Sequence, residues 1–79
     1  MLDLFINYDI EALFKIFEKY SRILGLVKFY ERLLIPVMYK VGELWSNGTL
    51  DIATEHICSN AARTLVKLIN DRVSKQKRP

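Results

Sequence analysis

Apolar residues recur every three or four positions along three stretches of the chain, which is the spacing of one face of an α-helix. The first stretch covers residues 10–24, with Asp9 placed as its N-cap and Gly25 as its stop. Residues 1–8 are also apolar, but they are too few for a stable helix alone and indicate the stub of a further one. The predicted core side of the first helix is Ile10, Leu13, Phe14, Phe17, Tyr20 and Leu24.

The second predicted helix covers residues 26–46 and contains a proline in its interior. Pro36 removes one backbone hydrogen bond there, so we expect the helix to be kinked or split at this residue. Asn47 and Gly48 follow, and the helix ends where one of them adopts the left-handed conformation. The apolar stripe of this helix is Tyr30, Leu33, Leu34, Val37, Val41 and Leu44.

The third predicted helix begins after Asp51, its N-cap, and continues to about Val73. Its core stripe is Thr54, Cys58, Ala61, Ala62, Leu65, Leu68, Ile69 and Val73. The pattern therefore predicts an all-α fold, a small antiparallel bundle of three to four helices with the second helix kinked at Pro36. We expect this bundle domain to cover residues 1–73, and residues 74–79 to form a basic disordered tail.

Helical geometry places the three rarest residues of the chain on different sides of the predicted core. On the third helix Cys58 points inward, whereas His56 lies about 180° from Leu65, the centre of the stripe. On the second helix Trp45 lies roughly 80° from the stripe centre, at the bundle edge, and Gly42 lies further toward the outside. The residues alone leave two interpretations open. Trp45 and His56 are either an edge-packing and an ordinary surface residue, or parts of a surface that contacts a ligand.

The sequence contains no recognisable catalytic or metal-binding motif. One histidine and one cysteine do not provide the ligands of a closed zinc site, even with Glu55 added. Ser59 lies one turn after His56, but neither an orienting acid nor an oxyanion loop can be assigned to the pair. A glycine-rich phosphate loop is also missing. We therefore do not expect the chain to be an enzyme.

Composition and charge narrow the expected partners. The net charge is +3, and four basic residues crowd the last eight positions. No set of basic residues is recognisable over one face of a folded element, so nucleic-acid binding by this chain alone is not expected. No apolar run is long enough to span a bilayer, and the start of the chain lacks the basic region of a signal peptide. We therefore expect a cytoplasmic chain without a membrane partner. Apolar residues make up 51% of this short chain, which predicts a homo-oligomer.

The segment from residue 35 to residue 60, IPVMYKVGELWSNGTLDIATEHICSN, resembles the helical cap domain that precedes cobalamin-binding Rossmann-like domains. The family pattern consists of a proline, an apolar turn, a glycine, a tryptophan, a short loop with glycine, and Glu-His early in the next helix. Such caps occur in methionine synthase, in corrinoid methyltransfer proteins and in light-sensing MerR-type transcriptional regulators. The Trp-x9-Glu-His spacing is typical of the last group. The matching positions are Pro36, Gly42, Trp45, Gly48, Glu55 and His56.

The resemblance implies roles for particular side chains in binding cobalamin. The family's cap lies over the upper axial face of the corrin ring. Trp45 would stack near the upper axial ligand, and Glu55 and His56 would contact that region or an adenosyl group. The candidate cofactor-binding set is Trp45, Glu55, His56, Met38, Gly42 and Ser59.

Departures from the family pattern shape the expected function. The sequence has no Asp-x-His-x-x-Gly motif and no βαβ pattern, so we expect cobalamin binding only together with a separate or missing Rossmann-like domain. Ser46 stands where some light-sensing members carry a histidine, so that switch chemistry is not expected. We predict a regulatory or sensory cap module, as in transcription regulation. The alternative is a cofactor-free helical domain for homodimerisation or another interaction.

Overall fold

The computed structural model describes residues 1–76, and this part of the chain is helical without any β-strand. A π-helical turn, Tyr30–Leu34, joins the third helix to the fourth, so that residues 26–46 form one continuous rod. The predicted all-α bundle of three to four helices is confirmed. The helices are α1 (Leu2–Ile6), α2 (Ile10–Leu24), α3 (Leu26–Phe29), α4 (Ile35–Ser46) and α5 (Ile52–Gln76).

The structure describes only the first part of the predicted basic tail. Helix α5 continues through residues 74–76, which the sequence pattern assigned to the tail. Residues 77–79 of that tail lie outside the described part of the chain. The division itself stays a prediction.

Side-chain caps fix the starts of the two longest helices, as the sequence indicated. The Asp9 carboxylate accepts a hydrogen bond from the backbone N–H of Ala12 at 3.2 Å, which caps α2. The Asp51 carboxylate accepts from the backbone N–H of Thr54 at 2.8 Å, which caps α5. Gly48 has a φ of 83°, the left-handed conformation that ends α4.

The π-helical turn lies directly before Pro36 and changes the hydrogen-bond register of the rod. The backbone N–H of Ile35 donates to the carbonyl of Tyr30, five residues earlier. Pro36 therefore stands in the first turn of α4, where a missing N–H costs little. The sequence predicted an interruption of the helix near Pro36, and the structure places this register change there. The kink itself stays a prediction.

The core lies between α1, α2, the rod and α5. Phe17 and Phe29 meet edge to face with ring centres 5.3 Å apart. Phe5 of α1 is fully buried, although the sequence pattern treated its segment only as a helix stub. Three predicted core positions are more than a third exposed. Tyr20 and Leu24 lie in the last two turns of α2, and Leu68 lies beside the buried Ile69 on α5. The buried residues are Phe5, Leu13, Phe17, Phe29, Leu34, Val41, Cys58, Ala61, Leu65 and Ile69.

Two polar contacts show how the helices run. The Tyr8 hydroxyl lies 2.9 Å from the Thr64 hydroxyl, and the Arg72 guanidinium donates to the Glu18 carboxylate at 2.9 Å. Helix α2 and helix α5 therefore run in the same direction, and the rod between them runs in the opposite one. The bundle is 48 Å long, with the Gly25 turn near one end and the loop between α4 and α5 near the other. No helix of the described residues is long and apolar enough to cross a membrane.

Candidate functional site

Trp45 lies in the last turn of α4, where the chain leaves the helix for the loop to α5. Its side chain is 51% exposed, as the predicted position at the bundle edge requires. The loop keeps its shape through Asn47, whose side-chain oxygen accepts from both the backbone N–H and the hydroxyl of Thr49, at 3.0 Å and 2.6 Å. A short, hydrogen-bonded loop therefore connects the helical turn that carries the indole to the start of α5.

Glu55, His56 and Ser59 lie close together on the first turns of α5, with the Glu55 carboxylate between the other two side chains. The Ser59 hydroxyl donates to one oxygen of the Glu55 carboxylate at 2.8 Å. The other oxygen lies 3.6 Å from Nδ1 of His56. The His56 side chain is 68% exposed and that of Glu55 is 25% exposed, so the predicted outward direction of His56 is confirmed. Because Ser59 donates to the carboxylate and not to the imidazole, the cluster orients an acid and does not activate a nucleophile.

Gly42 leaves open space one turn before Trp45. A Cβ atom built on Gly42 would meet no atom within 4 Å apart from its chain neighbours and the backbone of its own helix, so internal packing does not demand glycine at this position. A side chain there would project into the space outside the bundle instead. The bare backbone at Gly42 can therefore be approached closely by a group from outside.

An apolar groove of about 640 Å³ continues this face of the bundle between the rod and α5. Met38 lies in the groove and is one turn before Gly42 on α4. Partial burial raises the pKa of the Tyr30 phenol, which also lines the groove. Periodicity along one helix did not reveal the groove, because it forms only when two helices pair. Its lining is Tyr30, Leu34, Ile35, Met38, Tyr39, Ala62, Arg63 and Val66.

The structure joins some of the predicted site residues directly and others only by position. Ser59 and His56 each lie against the Glu55 carboxylate, one on either oxygen. Met38, Gly42 and Trp45 are spaced at i, i+4 and i+7, so they share one side of α4. No hydrogen bond joins the α4 group to the α5 group within residues 1–76.

The loop segment carries acidic side chains, of which Glu43 pairs with Lys40 at 3.5 Å, and the cysteine beneath it is buried. Residues 41–62 contain Glu43, Asp51 and Glu55 but no lysine or arginine. Burial raises the pKa of the Cys58 thiol, and the nearby Glu55 carboxylate adds to this effect. No group of three or more His, Cys, Asp and Glu side chains able to hold a metal ion occurs in the described residues.

Comparison with known proteins points to one family. The family model described as "B12 binding domain" matches residues 1–70. The chain is 33% identical over 64 residues to the HTH-type transcriptional repressor CarH of Myxococcus xanthus, and the match covers 80% of this chain and 21% of the repressor. The chain thus spans about one fifth of the length of this curated relative. No solved structure gives a significant match.

Proposed function

Because the chain belongs to the B12 binding domain family, whose model matches residues 1–70, we propose that it is a regulatory or sensory cobalamin cap and not an enzyme. In this role it covers the upper axial face of the corrin together with a separate Rossmann-like domain. The observation that carries the proposal is the half-exposed indole of Trp45 at the bundle edge, one turn after the open backbone of Gly42. The likeness to a transcriptional repressor supports the regulatory role.

The side chains at this edge fit the chemistry of a corrin. An indole offers a large, flat, mostly apolar surface, which suits stacking against the upper ligand and keeping water away. The open space at Gly42 leaves room for a bulky group beside that indole. Bound cobalamin supplies a cobalt–carbon bond, and the residues of this chain surround and shield it.

Glu55 and His56 supply polar contacts to the upper ligand in this proposal. Ser59 uses one oxygen of the Glu55 carboxylate, which holds the carboxylate in place and leaves lone pairs for an outside donor. The exposed imidazole of His56 can donate or accept at the same position. An adenosyl group, with hydroxyls and an amine, is a suitable partner for both side chains.

The apolar groove indicates how the second domain covers the rest of the face. It extends from Met38 toward the π-helical turn, so it continues the side of α4 that holds Trp45. Its lining is almost entirely apolar, with Arg63 as the charged member. Apolar side chains of the Rossmann-like domain would fill it, as anchors fill grooves in other helical interfaces.

The single tryptophan makes the proposal directly testable by ¹⁹F NMR. The chain labelled with 5-fluorotryptophan is mixed with an unlabelled cobalamin-binding Rossmann-like domain, with and without adenosylcobalamin. We expect the one resonance, from Trp45, to shift only when the cofactor is bound. An unchanged resonance in a complex that contains both proteins and the corrin would overturn the assigned role of Trp45.

The alternative function, a cofactor-free homodimerisation domain, is favoured by one observation. Tyr39 is 77% exposed at the rim of the groove, so each copy carries both a protruding aromatic ring and an apolar depression. A two-fold interface requires such self-complementarity. Under this alternative, sedimentation velocity without cobalamin shows a dimer of the original chain and a monomer of the Tyr39→Ser variant. When the Rossmann-like domain and corrin are added, neither the original chain nor the variant binds corrin.

A further inference from the structure

Two aliphatic side chains protrude at the end of the bundle opposite the α4–α5 loop. Ile23 is 69% exposed and Val27 is 66% exposed, and they stand on either side of the Gly25 turn. Neither lines the groove or belongs to the buried core. Exposure of this degree leaves most of the apolar surface of both side chains in water.

Positive charge is concentrated at the same end. Lys19, Arg22 and Lys28 are exposed, and none of them forms an ion pair with another residue in the range 1–76. The last turns of α5 bring Arg72 and Lys75 to this end, together with the acidic Asp71. Arg72 pairs with Glu18, so the unpaired cations at this end still outnumber the acids.

The two ends of the bundle therefore differ in electrostatic character. The region of the α4–α5 loop, residues 41–62, has three acidic and no basic side chains apart from its histidine. The long axis of 48 Å exceeds the Debye length of about 8 Å at physiological salt several-fold, so each end acts on its surroundings independently. The sequence did not show this polarity, because the cations come from separate segments that only the fold brings to one end.

We propose that this end, the cationic tip formed by Lys19, Arg22, Ile23, Val27 and Lys28, docks on an anionic lipid surface. The aliphatic side chains would enter the boundary between headgroups and acyl chains, while the cations pair with the anionic headgroups. A nucleic acid would satisfy the cations but leave Ile23 and Val27 in water, so the combination favours lipid. The sequence predicted no membrane partner because no segment can span a bilayer, and surface docking needs no such segment. The proposal does not depend on cobalamin binding.

The test is co-sedimentation of the full chain with vesicles of phosphatidylcholine and phosphatidylserine in equal parts, at physiological salt. Each cation at such a surface contributes about a fivefold factor, so Lys19→Gln/Arg22→Gln/Lys28→Gln is expected to weaken binding about 100-fold. The apolar variant Ile23→Ser/Val27→Ser keeps every charge and is expected to weaken binding by about tenfold or more.

Matched controls carry the same changes elsewhere on the bundle. Lys40→Gln/Arg63→Gln/Lys67→Gln removes the same charge away from the tip, and Ile52→Ser/Ile57→Ser removes exposed aliphatic surface at the other end. Both are expected to bind within about twofold of the unaltered chain, and circular dichroism verifies that all variants are folded.

Three results would overturn the proposal. One is no binding of the unaltered chain to anionic vesicles. Another is an equal loss of binding in the tip and control variants, which would show an effect of net charge alone. The third is binding to duplex DNA that is tighter than binding to vesicles and insensitive to Ile23→Ser/Val27→Ser, which would identify a nucleic-acid surface instead.

Discussion

At the scale of single residues, the candidate site depends on how α5 orients one carboxylate. Ser59 lies one turn after Glu55 and donates to it at 2.8 Å, while His56 is 3.6 Å from the other oxygen. The sequence named all three residues as candidates and gave Glu55 and His56 contacts to the upper ligand, but it assigned no separate role to Ser59. In the structure the Ser59 hydroxyl donates its hydrogen bond to Glu55, so Ser59 positions the carboxylate.

Removing the Ser59 hydroxyl is therefore expected to weaken cobalamin retention without unfolding the bundle. A hydrogen bond to a charged group stabilises the arrangement more than one between neutral groups does. We therefore expect Ser59→Ala to lower cobalamin retention in the assembled complex on the order of tenfold. Ser59→Thr keeps the hydroxyl and is expected to restore most of it. The measurement is the dissociation rate of the corrin, followed by visible absorption. Equal losses in both variants would contradict a positioning role.

The buried thiol of Cys58 gives a second prediction at this scale, in the dependence of stability on pH. Burial, with a contribution from Glu55, raises the folded-state pKa of this thiol above its value in the unfolded chain, about 8.5. As the pH rises through that value, the thiol ionises only in the unfolded state, so the free energy of unfolding falls by at most about 1.4 kcal/mol per pH unit.

Urea unfolding followed by circular dichroism measures this effect. The difference in unfolding free energy between the original chain and Cys58→Ala isolates the effect of the thiol from that of every other group in the chain. We expect Cys58→Ala to lose stability less steeply above about pH 8.5. Parallel curves for the two proteins would show that the thiol is accessible in the folded state.

At the scale of elements, the caps decide where the long helices begin. Hydrogen bonds from Thr54 lower the folded-state pKa of Asp51, so its stabilising contribution is present above the unfolded pKa of about 3.9. This contribution is lost as the pH falls through the folded-state value. Asp51→Ala is expected to lower the melting temperature by a few degrees at neutral pH.

The control variant for the cap is Asp51→Asn, which keeps a capping oxygen but cannot ionise. It is expected to melt closer to the original chain at neutral pH and to lose less stability on acidification. Thermal unfolding followed by circular dichroism compares the three proteins. If Asp51→Asn and Asp51→Ala melt at the same temperature, the side-chain cap does not stabilise α5.

The same scale shows which elements a sequence can indicate. Helix α2 was predicted with its observed bounds, because Asp9 and Gly25 give strong local signals at its ends. Helix α1 was missed as a core element, because five residues do not form a helix unless tertiary contacts stabilise it. Phe5 supplies those contacts by filling the space between α2 and α5.

The spacing of residues along one helix cannot predict a surface that two helices form together. The outward direction of His56 and the edge position of Trp45 followed from periodicity, because each depends on one helix alone. The groove and the cationic tip arise from pairs of helices, so neither could be read from spacing along the chain. The sequence offers one signal for the groove: an apolar residue such as Tyr39 that lies outside the predicted core stripe.

At the scale of the whole molecule, the bundle separates its surfaces. The edge with Trp45 and the acidic loop lie toward one end, the apolar groove continues along the side, and the cationic tip occupies the other end. A cap that covers a cofactor at one end leaves the other end free for a second contact. The proposed cobalamin role and the proposed lipid contact can therefore be tested independently on the same chain.

The proposed cobalamin cap is tested by gel filtration of the chain with a cobalamin-binding Rossmann-like domain and adenosylcobalamin, monitored at visible wavelengths. We expect corrin to elute with the complex of both proteins. Trp45→Ala, verified as folded by circular dichroism, should release it roughly tenfold faster, because the upper face loses its apolar cover. Equal retention by the folded Trp45→Ala variant would contradict the account of this surface as a cobalamin cap.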